Sequence, residues 1–212
     1  GVTKRIAEMI VQSQGRKTGT RFMTVRFGNV LGSAGSVIPI FKKQLAEGHP
    51  LTVTHPDIER FFMTIPEAVQ LILQAGCMGK GGEVFVLDMG EPVKILKLAE
   101  KLITLSGKQP YEDVEIHFTG IRPGEKMYEE LFNTRERHVE TSHPRIHVAL
   151  SDAVSKANME THVKGIHKLI LHRDEEALIT TFKSVVPGYT FYSSVPETHF
   201  RKHTGGKHAG NA

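Results

Sequence analysis

The sequence predicts an α/β chain organised around a parallel sheet. Three observations carry this. Two short β-rich runs, residues 21–27 and 83–88, are separated by segments whose apolar residues recur with helical period. The first run passes directly into a glycine-rich turn, residues 28–35, as strands in α/β chains do. The balance of 39% hydrophobic and 24% charged residues over 212 positions is that of a globular chain long enough to bury a core.

Taken in order, residues 2–14 place Ile6, Met9, Ile10 and Val11 on one side of a helix, with Gly15 after its last turn. Residues 21–27 read as a strand buried on both faces. Ser36 then caps a helix that runs to about Glu47 and closes at Gly48; Pro39 fits its first turn, where N–H groups lack acceptors. Residues 51–54 form a short strand, and Pro66 opens a helix through Ala75. Residues 83–88 are the second strand buried on both faces. Ile95, Leu98, Ala99 and Leu102 mark a helix over 93–105, and 114–118 is strand-like. Helices are predicted at 125–132, 159–171 and 174–185. No internal repeat is present. Two parallel strands do not make a stable doubly wound sheet, so the remaining strands are expected upstream, outside this chain. The first residue is not Met and the chain opens within a helical pattern, which points the same way.

Composition narrows the function classes. One cysteine, Cys77, cannot form an internal disulfide and suits a reducing compartment. No stretch has the ~20 apolar residues of a membrane-spanning helix, so no membrane contact is expected of this piece. The net charge is +4. A polar tail, residues 193–212, holds Arg201, Lys202 and Lys207 against Glu197, and so carries half of that excess. It reads as a flexible solvated segment. With no basic stripe interleaved with aromatics, nucleic-acid binding is not expected. The 12 histidines show no tight ligand spacing, and no metal site is expected. Pro144 separates His143 from His147, and the five-residue steps between His162, His167 and His172 do not stack on one helix face.

Four patterns carry candidate chemistry, each with a plainer alternative. Lys4 begins the first helix, as a working group or a solvated one. Asn29 lies in the turn after the first strand, where open α/β sheets place ligands, and offers both a donor and an acceptor. Alternatively it only shapes the turn. Arg60 stands beside Phe61 and Phe62, suited to bidentate phosphate binding or to an ion pair with Asp57 or Glu59. Arg122 and Glu125 flank Pro123–Gly124, so they address two parts of one ligand or merely start a helix.

In this order the patterns resemble the C-terminal portion of an extended short-chain dehydrogenase/reductase. More narrowly, the chain resembles the CapD-type nucleotide-sugar 4,6-dehydratases of polysaccharide biosynthesis. The matching stretches are GVTKRIAEMI, VRFGNVLGSAGSVIPIFKKQLAEGHPLTVTHPDIERFFMTIPEAVQLIL, VFVLDMGEPVKILKLAEKLI, GIRPGEKMYEEL and ETSHPRI. The resemblance implies the rear part of an NAD(P)-binding Rossmann-like fold, interleaved with substrate-binding elements over residues 1–90. A mainly substrate-binding region follows over 91–192, and then the tail. It implies that Lys4 is the lysine of a Tyr-x-x-x-Lys pair, hydrogen-bonding the nicotinamide ribose of NAD or NADP. The position of its tyrosine partner, methionine in some of these dehydratases, falls just before Gly1. Phe27, Gly28 and Val30 would lie near the nicotinamide. Asn29 would contact the sugar or the diphosphate, and Ser36 and Val37 the diphosphate at a helix N-terminus. Leu51, Thr52 and Val53 would flank the uracil. Arg60 and Arg122 would clamp the diphosphate, and Glu125 would hold the uridine ribose.

The reaction implied is redox-neutral: hydride leaves the sugar C4, water is eliminated across C5–C6, and hydride returns to C6. UDP-N-acetylglucosamine is the expected substrate, the cytoplasm the expected location, and pairing through the Lys4 helix the expected oligomer. A larger relative can carry a membrane anchor. Two alternatives stay open on the residues: a nucleotide-sugar 4-epimerase, and a non-catalytic nucleotide-sugar-binding fragment. The 212 residues alone, lacking a glycine-rich dinucleotide fingerprint, are expected to show no turnover.

Overall fold

The computed structural model describes residues 1–14, 19–133, 136–151 and 155–191. In chain order the elements are α1 (Val2–Gln14), β1 (Thr24–Arg26), β2 (Asn29–Val30), α2 (Val37–Ala46), β3 (Leu51–Val53), β4 (Glu59–Arg60), β5 (Phe62–Met63) and α3 (Ile65–Met78). They continue with β6 (Val84–Leu87), β7 (Val93–Lys94), α4 (Ile95–Leu105), β8 (Ile116–Phe118), β9 (Arg137–Glu140), β10 (Ile146–Leu150), α5 (Lys156–His172) and α6 (Glu175–Val185). The polar tail lies outside the described residues.

The main sheet has strand order β1-β6-β10-β9. β1 and β6 are parallel, with Val25 opposite Phe85, and the long connection between them carries α2 and α3. β10 and β9 then continue the sheet antiparallel. The sheet draws two further strands from within the chain, beyond the two read from the sequence. One expectation is corrected: only β6 is buried along its whole length; β1 is half-buried. Side chains alternate across β6: Phe85 and Leu87 join Ala68, Leu71 and Ala75 of α3, whereas Val84 and Val86 meet Ala149, Leu131 and Phe132.

A second core forms around Phe41 of α2, Leu51 and Val53 of β3, Ile95, Ala99 and Ile103 of α4, and Val114 and Ile116. β3 and β8 pair in parallel beneath it. A third, smaller cluster joins Ile6 of α1 to Met159 of α5 and Val185 of α6. The apolar side of the helix through which an oligomer was expected is thus partly covered by this chain's own α5 and α6, with Val2, Met9 and Ile10 half-buried. Asp174 connects those two helices by capping α6, accepting from the Ala177 amide at 3.0 Å.

Local sequence explains the best-defined helix start. Thr64 and Glu67 form a reciprocal capping box with Pro66 in the first turn of α3. Arg145 of the β9–β10 turn pairs with the same Glu67 at 2.6 Å and, with help from the Thr64 amide, holds its carboxyl below the ordinary range. The predicted helix over 93–105 loses its first two residues to β7, which pairs with β4. The predicted helix over 125–132 does not form; the segment is irregular. Its half-buried residues are Glu125, Met127, Glu129, Leu131 and Phe132, alternating as far as Leu131. Both glutamates reach back to Arg60 of β4, and Glu129 also accepts from the Phe61 amide.

Candidate functional site

Parallel strands end on the same side of their sheet, and two parallel pairs converge here. β1 runs into Gly28 and Asn29, beside Met89 at the end of β6; the Gly28 amide approaches Met89 Sδ at 3.3 Å. β3 and β8 end at Thr54 and Thr119, tied by the Thr119 amide donating to the Val53 carbonyl at 2.9 Å. Gly28 is required for packing: a Cβ there would stand 2.8 Å from Phe61 Cβ and 3.1 Å from the Phe61 carbonyl.

The polar centre lies between these strand ends. Arg60 donates from Nη2 to Glu125 Oε1 at 3.1 Å, and its Nε stands 3.7 Å from Glu129 Oε1. Its Nη1 donates to the Glu59 carbonyl at 2.7 Å. Thr54 adds a hydroxyl donor to Glu125 at 3.4 Å. Asn29 donates from Nδ2 to Glu129 Oε1 at 3.2 Å and to the Phe61 carbonyl at 3.3 Å. Of the residues singled out from separate motifs, Arg60 and Glu125 are in contact, and Asn29 is linked to them through Glu129. Arg60 takes neither of the ion pairs weighed on sequence; Asp57 pairs instead with Lys94 at 3.0 Å. Arg122 sits on the rim, exposed. The Glu125 amide donates to the Arg122 carbonyl at 2.9 Å across Pro123–Gly124, with Gly124 at φ +75°, the pattern of a type II turn.

Ser36 stands at the N-cap of α2 with extended backbone, but its side chain makes no capping bond, contrary to the reading of its role. Its Oγ is buried and without a partner. Val37 and Ile38 follow at the first two helical positions, whose N–H groups have no acceptor within a helix, and Pro39 carries none. A buried hydroxyl without a partner beside amide donors that lack an intrahelical acceptor is a place where an anion can bind.

Lys4 is exposed and has no hydrogen-bond or ion-pair partner among the described residues. One turn further, Glu8 anchors α1. Its carboxylate grips Arg26 of β1 through two contacts of 2.6 Å. Glu136 grips the other side of the same guanidinium at 2.7 and 2.8 Å. Arg5 contacts both carboxylates. Burial alone would lower the Arg26 pKa, yet the bonds to Glu8 and Glu136 raise it well above the ordinary value. Burial alone would raise that of Glu136, but the Arg26 side chain and the Asn133 amide bring it down to about 2. This four-residue knot fixes the Lys4 helix to the strand that leads into Asn29.

The remaining expected residues are placed as follows. Phe27 is exposed and Val30 half-buried near the β1 end. Leu51 and Val53 are 0% and 1% exposed, so their side chains belong to the second core and only their backbone could meet a ligand. Thr52 faces out, its amide and hydroxyl both bonded to Gln44. Sequence reasoning missed Glu129, Thr54 and the Glu8–Arg26–Glu136 knot. No local pattern in residues 125–132 singles out Glu129 from Glu130.

Residues 1–151 match the family described as polysaccharide biosynthesis protein. The chain belongs to that family. It is 63% identical over 148 residues to the probable polysaccharide biosynthesis protein EpsC of Bacillus subtilis, covering 70% of this chain and 25% of that protein. It is 56% identical over 167 residues to the capsular polysaccharide biosynthesis protein CapD of Staphylococcus aureus, covering 78% and 28% respectively. The chain thus spans about a quarter of the length of these relatives. Among solved structures it resembles Pen from Bacillus thuringiensis, with a TM-score of 0.64 and 37% identity over 74% of this chain and 49% of that one. In this polysaccharide biosynthesis family member every candidate site residue falls inside the family-matched span, whereas α5 and α6 lie beyond it. Among the described residues no group of three His, Cys, Asp or Glu side chains is placed to hold a metal ion, and no helix is long and apolar enough to cross a membrane.

Proposed function

We propose that this chain forms the nucleotide-sugar pocket of an NAD(P)-dependent nucleotide-sugar 4,6-dehydratase of polysaccharide biosynthesis, acting on a UDP-N-acetylglucosamine-like substrate. The observation that carries the reading is the convergence of Asn29, Arg60 and Glu125, from three distant motifs, at the ends of two parallel strand pairs. Arg60 and Arg122 bind the diphosphate, and the Ser36 hydroxyl with the first amides of α2 takes its remaining oxygens. Glu125 turns from Arg60 to the ribose hydroxyls as the diphosphate arrives.

The fit to a dinucleotide is partial. Lys4 presents an exposed ammonium without a carboxylate partner among the described residues, suited to ribose hydroxyls, and Phe27 lies open beside the β1 end. Gly28 packs against Phe61 and Met89 and is not a phosphate cradle. Lys4 would hold the nicotinamide ribose and stabilise an adjacent acid–base group by its charge. The cofactor, when bound, supplies hydride transfer. A phosphorylated sugar substrate and a lone, exposed Cys77 suit a reducing, cytoplasmic compartment. Pairing of two copies through the Lys4 helix would use the part of α1 that α5 and α6 leave open.

Calorimetric titration with UDP and with UDP-N-acetylglucosamine tests the pocket. Both should bind, and Arg60→Ala should weaken both about tenfold or more. Binding that is indifferent to Arg60 refutes the assignment. For the reaction, UDP-N-acetylglucosamine supplied with NAD⁺ should yield a product lighter by one water. A product of unchanged mass indicates epimerisation and overturns the dehydratase reading.

A further inference from the structure

The side-chain amide of Asn29 donates to the Phe61 carbonyl at 3.3 Å and to Glu129 Oε1 at 3.2 Å. Both partners are acceptors only, so the atom facing them must be the nitrogen; the opposite amide orientation would set oxygen against oxygen. With both N–H bonds used, Asn29 offers the pocket one thing, the acceptor Oδ1, which has no donor among the described residues. Glu129 enforces this arrangement. Its second oxygen accepts from the Phe61 amide at 3.3 Å, so one carboxylate bridges the start of β2 to the residue before β5. It also stands 3.7 Å from Arg60 Nε. A negative charge and an outward acceptor side by side repel a phosphate and welcome a hydroxyl or an amide N–H.

We infer that Glu129 is a positioning residue that locks Asn29 with its oxygen outward, and that this corner recognises hydrogen-bond donors of the sugar, not the diphosphate. The inference rests on the nucleotide-sugar reading above and adds a division of labour to it: cationic and amide donors for the diphosphate, acceptors for the sugar.

The test compares affinities of the full chain for UDP and UDP-N-acetylglucosamine. Asn29→Ala should reduce the preference for the sugar nucleotide by about three- to tenfold, the worth of one hydrogen bond, and leave UDP binding within about twofold. Glu129→Ala should cause the same selective loss, because only the Phe61 carbonyl then holds the Asn29 nitrogen inward. Glu129→Gln, which keeps an acceptor for Asn29, should restore most of the preference. A purely structural role would lower both affinities together. Parallel loss of UDP and sugar-nucleotide binding in Asn29→Ala, or an unchanged preference in Glu129→Ala, overturns the inference. Wild-type protein that binds UDP as well as UDP-N-acetylglucosamine also overturns it while the UDP pocket stands; protein that binds neither removes the underlying reading. If the variants do not fold, the Asn29 side-chain amide resonances of the wild type decide. They should move on adding the sugar nucleotide and stay fixed with UDP, and the converse refutes the assignment.

Discussion

Glu136→Gln is the sharpest probe of the Arg26 knot. The Glu136 side chain is 2% exposed and receives two bonds from Arg26 and two from Asn133. Those contacts hold its carboxyl at about 2, against an ordinary 4.5. At ~1.4 kcal/mol per pH decade this corresponds to about 3 kcal/mol of folding stability. Because the folded value is depressed, that contribution is complete above about pH 4.5 and fades as the pH falls towards about 2. Gln keeps the shape but removes the charge, and Arg26 retains Glu8, so a loss of about 2–3 kcal/mol is expected at neutral pH. Urea unfolding followed by circular dichroism, at about pH 7 and about pH 3, measures both terms. The gap between wild type and variant should shrink on acidification. The Asp57 and Glu67 carboxyls are also lowered, by Lys94 and Arg145, but they are present in both proteins and cancel in the difference. A gap that is unchanged at low pH, or absent at neutral pH, refutes the reasoning.

Other outcomes follow from single contacts. Ser36→Ala deletes a buried hydroxyl without a partner, so it should raise the unfolding free energy by about 1 kcal/mol while weakening UDP several-fold, read by thermal denaturation and calorimetry. Gly28→Ala forces a Cβ to within 2.8 Å of Phe61 and should cost about 1–3 kcal/mol, seen as a lower melting temperature. Phe41→Ala, at a fully buried position of the second core, should cost about 3–5 kcal/mol in urea unfolding without altering which nucleotide is preferred. Thr64→Ala removes the cap of α3 and should cost about 1 kcal/mol.

The helices were legible because their signals are local. Ser36 and Gly48 bracket α2, Thr64 and Pro66 open α3, and Asp174 starts α6, each within a few residues of the boundary it sets. β1 and β6 were legible through β-branched and aromatic runs. β9 was not: all four of its residues are exposed, and only pairing with β10 makes it a strand. The two-residue strands β2, β4, β5 and β7 likewise exist through their partners. At the site, Asn29, Arg60 and Glu125 stood out as residue types in turn-rich motifs. Glu129 did not, because its meaning lies in Asn29, 100 positions away. The segment 125–132 is irregular, and its glutamates make long-range contacts to Arg60 and Asn29.

The Arg26 knot also constrains how such a sequence can drift. Two arginines and two glutamates share the space, so the charges balance. Loss of either glutamate leaves one surplus positive charge near the surface, where Arg5 can swing into water. Loss of Arg26 strands two buried carboxylates with only the half-exposed Arg5 between them. Replacement is therefore costly along both routes, and less so along the first. Acids at 8 and 136 can be exchanged first, and the strand arginine only after both have gone.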